Sequence, residues 1–300
     1  MIRVLITGGN GFLGQHLCHF LSKYPQFNII AVSKSERRIP SYIKCSFIQT
    51  DLTDATASAA LLQTVLPNII VHTAAMSQPN ECHNNPMECL RQNTFTVRQL
   101  LTQLEALPIT HKQFIFISTD FIFGEGGPHN ENDVPNPLNL YGQSKLLAEH
   151  FVEAAPIATA IIRPVFMYGP IWQGLRNSFV QWVASQLQQH QPIKVVTDQL
   201  RTPTYVNDVC WAIHQIIIKE HTGVYHTAGG EIVSPYDIAV ATANVLQLDV
   251  SKIIPVTGSE FPEVVLRPKK SGLHIQKTIN TLGYHPTPLK QGILNTFKAS

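Results

Sequence analysis

The 300-residue sequence is poor in charge. Only 14% of its residues are Asp, Glu, Lys or Arg, against roughly 25% in soluble domains at large, and 22 cations against 20 anions leave a formal net charge of +2. Nowhere do five or six like charges run together. This excludes the electrostatic footprint of a nucleic-acid or acidic-membrane binder and leaves a small molecule as the default partner. No apolar stretch approaches the roughly 20 residues of a membrane span. Cysteine is sparse and without pattern: Cys18, Cys45, Cys82, Cys89 and Cys210 contain no C-x-x-C pair. Their odd number fits reduced thiols in ordinary core or surface positions. A first strand beginning at residue 2 leaves no room ahead of it for a cleavable leader, so a cytoplasmic location is expected.

Hydrophobic residues, by contrast, make up 44% of the chain. They gather in short runs of Ile, Val and Phe separated by longer stretches of helical spacing, the pattern of parallel strands joined by crossover helices. The expected strands are 3–7, 28–33, 46–49, 69–73, 113–118 and 159–163, each nearly all apolar, as suits strands covered on both faces. Leu13, Leu17, Phe20 and Leu21 share one helical face, and Leu90, Val97, Leu100, Leu101 and Leu104 share another. Past residue 165 the alternation weakens, although 208–218 still reads as helix and 224–227 as a strand returning to the main sheet. The expectation is an α/β protein with a Rossmann-type doubly wound parallel sheet. Residues 1–165 and about 204–228 form its cofactor-binding part, and 166–203 with 229–300 a smaller substrate-binding region.

Residues 2–14 read I-R-V-L-I-T-G-G-N-G-F-L-G, a strand running through glycines into a helix. Gly8 permits the tight turn, Gly11 lets the backbone approach a diphosphate, and Gly14 allows close helix-to-strand packing, while the helix N-terminus offers N–H groups and the positive end of its dipole. Asn10, Phe12 and Leu13 complete the loop expected to hold a dinucleotide. At the end of the second strand an NAD enzyme places an Asp or Glu on the ribose 2′-hydroxyl. This chain instead reads Ser33-Lys34-Ser35-Glu36-Arg37-Arg38. Lys34 with Arg37 or Arg38 can pair with a 2′-phosphate that a carboxylate would repel, so NADP is expected rather than NAD.

Tyr141 and Lys145 stand four apart in L-N-L-Y-G-Q-S-K-L-L-A-E and so share one helical face. An ammonium beside a phenol stabilises its anion and brings it toward the working pH range, and the same lysine can hold a nicotinamide ribose. Ser118-Thr119-Asp120 ends the preceding strand, at the sheet edge where ligands bind. From there the Thr119 hydroxyl can donate to a carbonyl oxygen while Tyr141 transfers the proton.

The spacing G-x-x-G-x-x-G resembles the extended short-chain dehydrogenase/reductase superfamily. The resemblance implies adenine contacts at Asp51 and Leu52, a segment beneath the cofactor at Ala74 and Ala75, and an active hydroxyl on Thr119 rather than Ser118. Three further segments are similar to the dTDP-4-dehydrorhamnose reductase family: E-N-D-V-P-N-P-L-N-L-Y-G at 131–142, D-Q-L-R-T-P-T at 198–204 and R-P-K-K-S-G-L at 267–273. They imply that Thr119, Tyr141 and Lys145 form a catalytic trio through which NADPH reduces a nucleotide-linked 4-keto-deoxysugar to the 4-hydroxy sugar. Phe121, Asn177, Arg201 and Arg267 are the expected substrate contacts, with Arg201 standing where the family pattern has glycine. Some members hold magnesium between subunits through glutamates, but His16 occupies one such position, so no metal is expected; a homodimer is left open. Two alternatives share the same motifs: an epimerase or dehydratase that retains its cofactor, and an NADP-binding regulatory subunit of the methionine adenosyltransferase type.

Overall fold

The computed structural model describes residues 1–172, 174–261 and 264–298. Its strands are β1 (Ile2–Thr7), β2 (Phe27–Ser33), β3 (Ser46–Gln49), β4 (Ile69–His72), β5 (Gln113–Ile117), β6 (Ala158–Pro164), β7 (Met167–Tyr168), β8 (Ile193–Val196), β9 (Thr204–Tyr205), β10 (Gly223–Thr227) and β11 (Ile253–Val256). Seven of these build one sheet in the order β10-β6-β5-β4-β1-β2-β3, every neighbouring pair parallel. The order reverses between β1 and β4, where the register sets Thr7 beside both Val32 and His72. A crevice opens at that reversal because the connections leave toward opposite faces. The expected strands are all present, and the returning strand is β10, paired with β6 at the sheet edge.

The helices are α1 (Phe12–Leu21), α2 (Ala55–Val65), α3 (Pro79–Asn84), α4 (Pro86–Leu90), α5 (Thr96–Glu105), α6 (Leu140–Glu153), α7 (Phe179–Gln188), α8 (Val206–Ile218), α9 (Pro235–Leu246), α10 (Gln276–Leu282) and α11 (Leu289–Lys298). Side chains alternate across each strand, so Val4 and Ile6 of β1 pack with Leu13 and Leu17 of α1 and Ile213 of α8. Leu5 turns the other way, onto Leu62, Leu100 and Val152 of α2, α5 and α6. Both faces are thus covered, which is why the strands read as unbroken apolar runs. The stripe from Leu90 to Val97 is not one regular helix: α4 ends at Leu90, a widened, π-type turn spans Arg91–Phe95, and α5 begins at Thr96. Away from the sheet, β8 pairs with β11 and β7 with β9, with α7 and α9 packed over the first pair. Among the described residues no helix is long and apolar enough to cross a membrane.

Candidate active site

Gly8 follows β1 with φ of 66°, and a Cβ there would stand 2.7 Å from the backbone nitrogen of Ala74. Glycine is therefore needed for both conformation and space. Gly14 abuts the carbonyl of Gly8 with no room for a side chain, and Gly9, which the motif reading passed over, would drive a Cβ to 2.8 Å from that of Ala31. Gly11 differs. A Cβ there would meet only the Gly8 carbonyl, at 3.1 Å, leaving the space before it open. It also begins α1 without a side-chain cap, so the first-turn N–H groups of Phe12 and Leu13 are free to receive an anion. Their side chains serve the fold instead: Leu13 is core, and the Phe12 ring meets His16 edge-on at 5.0 Å.

A hollow of about 210 Å³ at the C-terminal ends of the strands brings together Gly8, Ser33, Lys34, Leu52, Ala74 and Ala75, with Asp51 on the same wall. Lys34 pairs with Asp51 at 2.9 Å. Burial raises the Asp51 carboxyl, but hydrogen bonds from Lys34 and Thr53 outweigh it and pull the group down to about 2. Two expected contacts do other work. The Asn10 amide donates to Ser35 Oγ at 3.0 Å and the Glu36 carbonyl at 2.7 Å, and its Oδ1 accepts from the Arg38 N–H at 2.8 Å, so this side chain shapes the loop rather than facing the hollow. Arg37 is committed to the carbonyls of Ile39, Ile43 and Cys45 at 3.2, 3.1 and 3.0 Å, acceptors supplied by its own loop. Lys34 and Arg38 are the remaining cations of the Ser33–Arg38 segment.

β5 delivers Thr119 and α6 delivers Tyr141 and Lys145. Asn139 starts α6 by accepting a hydrogen bond from the Gly142 N–H at 3.0 Å. Gly142 then lets the helix touch the tight turn Asp120–Ile122 backbone to backbone, since a Cβ there would overlap the Phe121 carbonyl. The result is a Tyr141 ring set edge-on to Phe121 at 5.7 Å, against the turn that begins at Thr119. The Thr119 hydroxyl accepts from the Phe121 N–H at 3.2 Å and donates to Asp120 Oδ1 at 3.3 Å. Behind them, Arg201 donates to Ser271 Oγ at 2.7 Å, and Ser271 donates to Asp120 Oδ2 at 2.9 Å. Lys145 is buried with its Nζ 4.0 Å from the Phe116 ring centroid. Burial lowers Lys145 to about 7, against the pull of Glu149. Burial likewise raises Tyr141 above the ordinary phenol range, although Thr119 opposes it. The sequence reading has the ammonium lowering the phenol; in this structure desolvation of both groups dominates, and Tyr141 is held protonated.

A second cavity, of about 700 Å³, opens over Asp120 and Phe121 between apolar walls that include Phe166, Phe179 and Trp182, with Arg201 and Arg267 at its margin. Met76, next to Ala75 of the first hollow, and Phe121 of the cavity wall both pack against the buried cluster of Cys82, Cys89 and Tyr141. Asn177 is exposed and does not line the cavity. Arg201 reaches the cavity, yet its guanidinium is already bound to the Pro268 carbonyl at 2.9 Å and to Ser271; it anchors the wall.

A model of the RmlD substrate binding domain matches residues 2–300. The chain belongs to that family. Methionine adenosyltransferase 2 subunit beta of Bos taurus is 32% identical over 300 residues, spanning 97% of this chain and 86% of the relative. dTDP-4-dehydrorhamnose reductase of Aggregatibacter actinomycetemcomitans is 26% identical over 308 residues and 98% of each chain. The crystal structure of dTDP-4-dehydrorhamnose reductase from Bacillus anthracis in complex with NADP matches with a TM-score of 0.86 at 26% identity, covering all of both chains. The resemblance to that reductase family and the Rossmann-type fold are thereby borne out.

In this RmlD-family chain the structure adds residues that motif reading missed. Asn93, on the widened turn, accepts from the Met76 N–H at 2.8 Å and donates to Ser144 Oγ at 3.0 Å, tying α6 to the segment after Ala75. The available signal was the polar run Gln92-Asn93-Thr94 breaking an apolar stripe; such turns are frequent at functional sites. Gly142 closes the pattern E-N-D-V-P-N-P-L-N-L-Y-G at 131–142, but the pattern gave it no structural role. His16, the expected non-ligand, lies 2.9 Å from the Pro170 carbonyl through Nε2 and stacks on Trp172 at 4.3 Å.

Proposed function

We propose that this chain is an NADPH-dependent reductase of a nucleotide-linked 4-keto-deoxysugar. Residues 1–165 with 204–228 serve the cofactor in this reading, and 166–203 with 229–300 the substrate. The observation that carries it is a buried, protonated Tyr141 set against Phe121 of the large cavity, with an uncapped glycine loop opening α1 at the C-terminal ends of the strands. The residues fit a dinucleotide: the open space at Gly11 and the free N–H groups of Phe12 and Leu13 suit a diphosphate, and Lys34 and Arg38 suit a 2′-phosphate. Ser33, Asp51 and Leu52 border the adenosine end, Ala74 and Ala75 lie beneath, and Lys145 takes the nicotinamide ribose. NADPH supplies the hydride when bound. Thr119 hydrogen-bonds the keto oxygen and Tyr141 gives it a proton, the direction that a neutral phenol favours. Phe121 faces the sugar, and Arg267 suits a diphosphate oxygen.

Loss of NADPH absorbance with a panel of dTDP- and UDP-linked 4-keto sugars tests the reading. Tyr141→Phe is expected to lower turnover by about 10²- to 10⁴-fold with NADPH affinity unchanged. NADPH binding without oxidation across the panel would sink it. The same reading includes a cytoplasmic location and a homodimer, checked by cell fractionation and light scattering. The 32% identity to methionine adenosyltransferase 2 subunit beta favours a second reading, a cofactor-binding regulatory subunit; co-purification with a synthetase and altered synthetase activity, without NADPH oxidation, would support it.

A further inference from the structure

Arg37, turned away from the first hollow, closes a different cluster. Its Nη2 lies 3.8 Å from the sulfur of Cys45 while Nη1 holds the Cys45 carbonyl at 3.0 Å. Cys45 precedes β3 and is partly exposed. Cys18, on the inward face of α1, is fully buried, and Cys45 packs against the apolar cluster that contains it. This places a reachable sulfur, a guanidinium and a second sulfur in one cluster, the arrangement that stabilises a thiolate and supplies it with a resolving partner. We propose that Cys45 is a site of oxidation by hydroperoxides, resolved by Cys18 into a disulfide, in the loop that frames the cofactor. The inference does not depend on the reductase reading.

The Cys45 thiolate attacks one oxygen of a hydroperoxide; the O–O bond breaks and the other oxygen departs, taking up a proton as water or an alcohol. Cys45 becomes a sulfenic acid. Cys18 then loses its proton and attacks the Cys45 sulfur, forming S–S as S–O breaks and water leaves. The thiols together lose two protons and two electrons, and the peroxide gains them. Cys18 and Arg37 lower the Cys45 thiol against the opposing effect of burial, which favours its thiolate. The consequence reaches the cofactor because Arg37 also holds the carbonyls of Ile39 and Ile43, and Asn10 of the glycine loop holds Ser35, Glu36 and Arg38. A cross-link from Cys45 to α1 pulls on the loop that presents Lys34 and Arg38.

Cys82 and Cys89 provide an internal control. They also lie in one cluster, where the Asn93 amide reaches both sulfurs at 3.9 and 3.5 Å, but both are fully buried with Tyr141. The full chain is treated with a slight excess of hydrogen peroxide, digested and analysed by mass spectrometry. The expected product is a Cys18–Cys45 linked peptide lacking two hydrogens, with Cys82 and Cys89 still free. In Cys18→Ser, or Cys18→Ala should the serine disturb α1, dimedone should label Cys45. Arg37→Gln should slow Cys45 oxidation several-fold, and NADPH should bind the oxidised protein several-fold more weakly than the reduced protein. Oxidation that falls first on Cys82, Cys89 or Cys210, a Cys45 that reacts only in denatured protein, or a rate unmoved by Arg37→Gln would overturn the proposal. Unchanged NADPH affinity after cross-linking would overturn its link to the cofactor.

Discussion

Lys145 is held where a charge is costly. Burial lowers it from 10.5 to about 7. Below pH 7 the folded and unfolded chains both carry the proton, and the fold bears the full cost of the buried ammonium. Between 7 and 10.5 the unfolded chain binds a proton that the folded chain has released, so this residue's contribution to stability improves as pH rises. Lys145→Met is therefore expected to raise the melting temperature, and by more near pH 6 than near pH 9. Equal gains at both pH values would show that the ammonium is not desolvated as described. Activity should be lost in the same variant, because the position trades stability for an amine one helical turn from Tyr141 on α6.

At the scale of elements, two glycines of one loop should fail in different ways. Gly11→Ala meets only the Gly8 carbonyl, at 3.1 Å, and is expected to cost no more than about 1 kcal/mol of stability, while NADPH affinity falls because the methyl occupies the approach to the α1 N-terminus. Gly14→Ala pushes into the Gly8 carbonyl and is expected to cost about 1–3 kcal/mol. Urea melts and fluorescence titration of NADPH separate the two, and a reversal of the pattern would refute the assignment of space at this loop. Gly142→Ala belongs to the same scale: it wedges α6 away from Asp120–Ile122. Turnover should drop while the fold survives, since Tyr141 is moved off the turn that begins at Thr119; full activity in this variant would show that the close approach is not required.

At the scale of the molecule, α6 is fixed to the sheet by a buried ion pair. Arg163 of β6 donates to both Glu149 oxygens, at 3.0 and 2.6 Å, and through Nη1 to the Glu131 carbonyl at 3.1 Å. Tyr141, Lys145 and Glu149 are spaced by four, so the helix face that presents the reacting groups also carries its anchor. Glu149→Gln leaves the Arg163 cation buried without a counter-ion and is expected to destabilise by about 3–5 kcal/mol in urea unfolding; a loss below about 1 kcal/mol would mean the pair is no anchor.

The strands and the main helix faces were legible because each obeys a local rule. Apolar runs, the glycine loop and the four-residue spacing of Tyr141 and Lys145 are written within a few residues of one another, and they determined the α/β class and the shared helix face of Tyr141 and Lys145. What Arg37, Asn10, Asn177 and Arg201 do was not legible, since residue type announces a charge or an amide but not which acceptor lies closest. Arg37 found three carbonyls on its own loop, Arg201 found Ser271 and Pro268 about 70 positions away, and Asn177 was left in solvent. The order of protonation at Tyr141 and Lys145 was decided by tertiary structure too, because desolvation depends on everything packed around a group and on nothing in its immediate sequence. By itself the sequence determined which chemistry the chain carries; only the fold decided which charges face the hollow and which hold the walls, because a polar group goes to the nearest partner that burial leaves it.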